Sequence, residues 1–406
     1  MSLYTVFQAW TDAATPFRSA AQTMVKMHES MGVFGELPMV RNYFAMLDVV
    51  GNAQVTHTRP SFAIDHVVVG NRVLSVREEI TIALPFGNLL HFAKDEVDTP
   101  QPKMLVVAPL SGHFATLLRE TVQVLLRDHD VYITDWANAR DVPLSAGRFG
   151  IEDYIDYTIR FLEEIGPRQH VLAVCQPCVT TLATVAIMAE AQNPAQPATM
   201  TLMGGPIDTR ISPTVVNDLA TANPIEWFAE KLISPVPARY AGAGRKVYPG
   251  FLQLTAFMSM NKDRHTSQHR RLYRLLAEGK VEEAAVIQDF YEEYFAVLDL
   301  AAEFYLETVE QVFQKTLLAK GEFAYRGRLV DPGQIKQTAL LTVEGERDDI
   351  CSVGQTAAAH DLCLGLVPHM KRHHLQPGVG HYGLFAGRKW ENQVYPQIRN
   401  LVLAVS

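Results

Sequence analysis

Val171-Leu172-Ala173-Val174-Cys175-Gln176-Pro177-Cys178-Val179 sets an apolar run against a cysteine and then against the helical stretch Val179 to Ala191. A short, unbroken apolar run bounded in this way predicts a buried strand, so Cys175 falls between a strand and a helix. That position is a nucleophile elbow. The side chain is raised on a tight turn at the carboxyl end of the strand, over the N-terminus of the next helix. Backbone N–H groups and the helix dipole there favour the thiolate, the reactive form of cysteine. Pro177 suits the first helical turn, where its missing donor would have had no partner. The usual Gly-x-Ser-x-Gly is replaced by Ala173-Val174-Cys175-Gln176-Pro177, so the reading depends on what surrounds the elbow.

Working outward, similar short apolar runs occur at Lys103 to Ala108, Asp130 to Thr134, Met200 to Met203 and Ala339 to Val343. They alternate with helical stretches at Ala115 to Leu126 and Ile151 to Ile165, which predicts an α/β chain with a mostly parallel central sheet. Ahead of them, Ala63 to Val69, Val73 to Val76 and Ile80 to Leu84 alternate like antiparallel strands, with Gly70-Asn71 as a hairpin turn. From Pro213 to Gln334 the periodicity is helical and rich in aromatics, with no buried strand, which predicts an inserted helical cap. Apolar residues at helical spacing (Val6, Ala9, Trp10, Ala13, Met24, Met27, Met31) predict an N-terminal helical arm packed on the core. The expected organisation is an arm over 1–60, core over 61–212, cap over 213–334 and core again over 335–406.

The elbow needs partners, and they follow in chain order. After the run ending at Val343 comes Gly345-Glu346-Arg347-Asp348-Asp349-Ile350, and later Gly378-Val379-Gly380-His381-Tyr382-Gly383 presents one histidine in a small-residue loop. Nucleophile, acid and histidine in that order fit an α/β-hydrolase sheet. His381 would take the thiol proton and an aspartate would hold the imidazole tautomer, with Asp348 and Asp349 equivalent at this point. The N–H of Gln176 and a donor from Pro109-Leu110-Ser111-Gly112-His113, centred on Ser111, are the candidate oxyanion donors. His113 is a rival base, and His113 and Tyr382 are candidate substrate-lining residues. Cys351 and Cys363 are expected to be core thiols.

Cys175-Gln176-Pro177-Cys178 is also a Cys-x-x-Cys sequence, the dithiol spacing of a thioredoxin-like redox site. The runs that precede it and the acid and histidine that follow favour the hydrolase reading. His265 and His269, and His369, His373 and His374, have metal-like spacing. Lys371-Arg372 would repel a cation and no zincin glutamate follows His265, so solvated faces are expected and no metal is assigned.

The chain has 406 residues, 48% hydrophobic and 20% charged, the composition of a globular protein rather than a linker. A net charge of -8 argues against nucleic acid as a partner. Four cysteines fit a reducing compartment. The first thirty residues, with Asp12, Arg18, Lys26 and Glu29 along an amphipathic pattern, lack a signal-peptide design, and no apolar window reaches bilayer length. A soluble, cytoplasmic protein without a membrane span is expected.

The motifs together resemble the intracellular polyhydroxyalkanoate (polyhydroxybutyrate) depolymerases. The resemblance lies in Ala173 to Pro177, Pro109 to Thr116, Ala302 to Leu306 with Arg326-Gly327-Arg328, Thr342 to Ile350 and Gly380 to Gly383, from about Pro60 onward. It implies an α/β-hydrolase with a cysteine nucleophile, related to polyester synthases, with Cys175 as nucleophile, Asp348 as acid and His381 as base. The match of Asp348-Asp349-Ile350 to an Asp-x-Ile segment selects Asp348. Cys178 departs from the family pattern, where a small non-thiol residue is expected, and suggests oxidative inactivation through a Cys175–Cys178 disulfide. The implied partner is a polyester or its oligomers, with the storage-granule surface as a second, and no cofactor is needed for ester cleavage. The rivals are a synthase-like acyltransferase and a non-catalytic granule-binding protein.

Overall fold

A computed structural model describes residues 3–28, 37–95, 97, 99–260 and 262–405. Glu29 and Met31 of the expected arm lie outside the described residues. Among the described residues a nine-stranded sheet forms the centre. Its strands are β1 (His66–Val69), β2 (Arg72–Leu84), β3 (Gly87–Lys94), β4 (Lys103–Val107), β5 (Asp130–Trp136), β6 (His170–Val174), β7 (Thr199–Met203), β8 (Ala339–Gly345) and β9 (Lys371–Gln376). They lie in the order β1-β2-β3-β5-β4-β6-β7-β8-β9. The pairs from β1 to β5 through β3 are antiparallel, and every pair from β5 onward is parallel. The chain leaves β4 to one side for β5 and returns to the other for β6, which makes a topological switch whose crevice opens at the carboxyl ends of β4 and β6. This order, with an elbow after β6, is the α/β-hydrolase fold.

β6, β7 and β8 are buried along their whole length, which is why they read as mostly apolar runs. Val73 to Val76 and Ile80 to Leu84, expected as two strands, are one strand interrupted by a bulge between Ile80 and Ile82. Two strands had no sequence signal. β3 buries both faces without alternation, and β9 is a polar edge strand, Lys371-Arg372-His373-His374-Leu375-Gln376, paired only to β8.

The helices are α1 (Leu3–His28) and α2 (Pro38–Asn52) in the arm, then α3 (Arg119–Leu125), α4 (Ile151–Ile165) and α5 (Pro177–Glu190) beside the sheet. Between β7 and β8 come α6 (Val215–Thr221), α7 (Ile225–Lys231), α8 (Gly250–Met260), α9 (Lys262–Ala277), α10 (Val281–Phe295) and α11 (Ala302–Glu307). The block is not wholly helical as expected. It holds a three-stranded sheet (Ser234–Pro235, Lys246–Tyr248, Leu300–Ala301) and a hairpin (Ala324–Tyr325, Arg328–Leu329), whose strands are too short to show a period. It is seated on the start of α4. Glu307 accepts from the Ile151 N–H at 2.7 Å and pairs with Arg148, while Arg326 donates to Asp156 at 2.5 Å and its N–H to Glu152 at 2.8 Å. Tyr154 of α4 stacks on Phe304 of α11 with centroids 5.2 Å apart.

The arm is held at several points: Asp12 pairs with Arg239 at 2.8 Å, Phe7 stacks on Phe251 with centroids 3.8 Å apart, and Asp48 of α2 accepts from Gln288 at 2.8 Å. Tyr4 is fully buried and donates to Asp299 at 2.6 Å, and the other Asp299 oxygen accepts from the Gly250 N–H at 2.9 Å. A hydrogen bond to a buried charge contributes about 1.5–3 kcal/mol. Beyond these contacts the packing expected of the arm is thin, since Trp10 is 62% and Phe17 79% exposed. No helix among the described residues is long and apolar enough to cross a membrane.

His113, His129 and His170 are buried, and burial lowers each to about 4. In the unfolded chain they titrate near the ordinary value of about 6.5. The unfolded state therefore binds more protons between these values, so stability is intact above about pH 6.5 and falls as pH drops toward 4. The slope reaches about 1.4 kcal/mol per pH unit for each histidine. The urea midpoint should fall steeply below pH 6, and a midpoint at pH 5 equal to that at pH 7 would contradict this.

Candidate active site

Cys175 sits at the turn after β6 with φ +66, a left-handed conformation that costs a side chain energy and recurs at functional sites. Two backbone bonds hold it there: its N–H donates to Met203 O at 2.8 Å, and its carbonyl accepts from the Cys178 N–H at 3.1 Å. The residues before and after it are buried, but Cys175 itself is partly exposed. The chain leaving β7 passes directly beneath. A Cβ on Gly205 would lie 2.1 Å from Cys178 Cβ and 3.1 Å from the Cys175 carbonyl oxygen, so only glycine fits. A Cβ on Gly204, at φ +57, would lie 3.2 Å from His381 Cε1.

The loop after β8 brings the acid. Asp348 Oδ1 accepts from the N–H groups of Ile350 and Cys351, each at 2.9 Å, which leaves Oδ2 to accept from His381 Nδ1 at 2.7 Å. An ionised carboxylate only accepts, so Nδ1 carries the proton and Nε2 is left for Cys175, which hydrogen-bonds the ring. Burial alone would lower the ring's proton affinity. The charge of Asp348, with the neighbouring Cys175, outweighs it and raises His381 well above the ordinary histidine value. Of the two aspartates that spacing left equivalent and the family resemblance resolved in favour of Asp348, Asp348 meets His381 and Asp349 is exposed.

Two further residues position this loop. Buried Glu344 accepts from the N–H groups of Gly354, Thr356 and Ala357 at 2.8 to 3.0 Å. Thr356 Oγ1 accepts from the Gly205 N–H at 2.8 Å and lies 3.0 Å from its carbonyl, tying the acid loop to the turn under the elbow. Glu344 ends an apolar strand, and a charge there was its only signal in the sequence. Thr356 had none.

The N–H groups of Gln176 and Ser111 find no acceptor among the described residues. The Gln176 side chain is buried with neither amide atom paired among the described residues. Ser111 precedes Gly112, at φ +103, whose carbonyl accepts from the Leu298 N–H at 3.0 Å. A Cβ on Gly112 would lie 2.9 Å from Gln253. His113, weighed as a rival base, is turned to the cap: its Nε2 lies 3.1 Å from the carbonyl oxygen of Tyr294 and its ring stacks near Phe257. A ring held neutral by burial and occupied by a carbonyl is ill suited to accept the thiol proton.

Tyr382 stands next to His381 and shares a hydrogen bond with the hydroxyl of Tyr294 on α10. Burial first, then the neighbouring Tyr294 and Cys175, raise its phenol well above the ordinary value. Tyr294 was one of many cap aromatics in the sequence, with nothing to distinguish it. All four cysteines are free. Cys178 is fully buried, its Sγ 3.4 Å from the carbonyl of Ala173, and burial raises its thiol well above the ordinary value, which suits packing better than dithiol exchange. Cys351 and Cys363 are buried. His265, expected on a solvated face, is also buried, with Nδ1 3.0 Å from the hydroxyl of Tyr291.

The chain is similar to known proteins in three ways. It is 24% identical over 323 residues to a poly(3-hydroxyalkanoate) polymerase subunit PhaC from Haloferax mediterranei, a match over 76% of this chain that spans 60% of the relative's length. Its structure is similar to 2-hydroxy-6-oxo-6-phenylhexa-2,4-dienoate hydrolase from Rhodococcus sp. strain RHA1, with TM-score 0.41 and 12% identity over 81% of this chain and 99% of that one. It is also similar to a thermophilic esterase from Thermogutta terrifontis, with TM-score 0.41 and 14% identity over 82% and 99%. The family model described as PHB de-polymerase C-terminus matches residues 204–406, the stretch that carries Gly205, Tyr294, Asp348 and His381. That match covers half of the chain, and the chain belongs to this family.

Proposed function

We propose that the chain hydrolyses ester bonds of aliphatic 3-hydroxyalkanoate polyesters or their oligomers through an acyl-cysteine intermediate. The observation that carries this reading is the hydrogen-bonded line from Asp348 through His381 to a cysteine on a strained elbow. His381 Nε2 holds the proton drawn from the thiol, Sγ attacks the ester carbonyl as the thiolate, and the N–H groups of Gln176 and Ser111 receive the oxyanion. Collapse breaks the C–O bond, and His381 returns its proton to the departing alkoxide. Water then gives a proton to the same nitrogen and attacks the thioester, releasing the acid and the thiol. No step requires a metal or an organic cofactor. A reducing, cytoplasmic setting at or near storage granules would keep the thiol free.

Similarity to a polymerase subunit favours a second reading, in which the same residues transfer hydroxyacyl groups from a thioester to a growing chain. Alanine and proline at 173 and 177, where a synthase elbow would carry glycine, weigh toward hydrolysis. With a 3-hydroxybutyrate oligomer, mass spectrometry should find one acyl adduct, on Cys175, and hydroxybutyrate should be released. Coenzyme A release from hydroxybutyryl-CoA with chain growth would favour the synthase instead. Granule binding with no adduct at all would leave only a binding role.

A further inference from the structure

A groove of about 960 Å³ lies between α2 of the arm and α8 and α9 of the cap. Met46 and Val50 from α2 and Met258 from α8 give it an apolar floor, and Lys262, Arg270 and Arg274 of α9 stand along it. α9 concentrates positive charge, with Lys262, Arg264, Arg270, Arg271 and Arg274 against the single carboxylate of Asp263, in a chain whose net charge is -8. Among the described residues no carboxylate forms an ion pair with Lys262, Arg270 or Arg274, and Glu278 near Arg274 is taken by Lys280 at 2.8 Å. The groove backs onto the candidate active site. Its wall includes buried His265, whose ring lies 5.2 Å from that of Tyr294, and Tyr294 bonds the Tyr382 beside His381.

We infer that this groove binds the free carboxylate end of an aliphatic hydroxyacid oligomer. The ligand class rests on the hydrolase reading above. The interior of a polyester is neutral and leaves three cations unanswered, whereas each chain carries one carboxylate at its acid terminus. That carboxylate matches Lys262, Arg270 and Arg274, and the methyl-bearing carbon chain matches Met46, Val50 and Met258. Recognition of a chain end at a site separate from the cysteine directs cleavage to termini and oligomers over chain interiors.

The test is calorimetric titration of the Cys175→Ala variant, which does not consume the ligand, with the 3-hydroxybutyrate trimer as free acid and as methyl ester. The acid should bind at least tenfold more tightly. Adding Arg270→Gln and Arg274→Gln should bring it down to the affinity of the ester, and Arg271→Gln on the same helix outside the groove should leave the tenfold difference. Equal binding of acid and ester, or a difference that survives Arg270→Gln with Arg274→Gln, overturns the inference. Hydrolysis by the chain with Cys175 intact separates the two ideas: charge-dependent binding without hydrolysis of either trimer sinks only the hydrolase reading. Hydrolysis of both trimers with equal KM sinks only the groove.

Discussion

Cys175→Ala is expected to lower ester hydrolysis on the order of 10⁵-fold, to the level that binding and oxyanion donors sustain without a nucleophile. The size of the effect follows from the arrangement around the thiol. Sγ stands on the elbow at φ +66 with the His381 ring in hydrogen-bond contact, and the other three cysteines are buried. Cys178 is three residues away but fully buried, bonded toward Ala173 O, with a thiol that burial keeps protonated. Cys178→Ser should therefore retain most of the activity, and a serine at 175 should restore little, because an alkoxide forms far less readily than a thiolate. The check is kcat/KM on an activated 3-hydroxybutyrate ester with circular dichroism to confirm the fold. A Cys175→Ala protein within tenfold of the parent would remove the mechanism.

The elbow was legible because three local signals agree at one place: an apolar run, a reactive residue and a proline tolerated in the first helical turn. β6, β7 and β8 are buried on both faces, so their sequences are mostly apolar runs without alternation, and α4 was predicted to the residue because its buried positions recur at helical spacing. What sequence could not supply depends on distant parts of the chain meeting. Gly204 and Gly205 look like any loop glycines until β7 is laid beside β6 and the His381 ring and Cys178 fill the space a Cβ would need. Tyr294 gains meaning only when α10 is placed over Tyr382. β9 is polar because it lies at an edge, so it resembles a loop, and only the family resemblance, not the spacing, chose Asp348 over Asp349, because which carboxylate the turn aims inward is set by the fold. Local chemistry is written in neighbouring residues, and long-range geometry is not.

Asp348→Asn should cost about 10³–10⁴-fold in kcat/KM while leaving the fold intact. The two backbone donors decide this. The N–H groups of Ile350 and Cys351 both point at Oδ1, so an asparagine must place its amide oxygen there and turn its NH₂ toward His381. Nδ1 then has to accept, the ring proton moves to Nε2, and the nitrogen facing Cys175 becomes a donor with no capacity to take the thiol proton. The loss is a tautomer effect rather than a packing effect, and it can be recognised as such. With the Asp348 charge gone, a main cause that holds His381 above its ordinary value is removed, so the imidazolium beside the thiolate loses its support. The parent should keep activity as pH falls below neutrality until the folded chain itself weakens, whereas Asp348→Asn should gain steeply with rising pH, as hydroxide replaces the missing base. Asp349→Asn, at the exposed neighbour, should change kcat/KM by less than threefold. A loss below tenfold in Asp348→Asn, or a pH profile parallel to that of the parent, would show that this carboxylate does not set the histidine's tautomer.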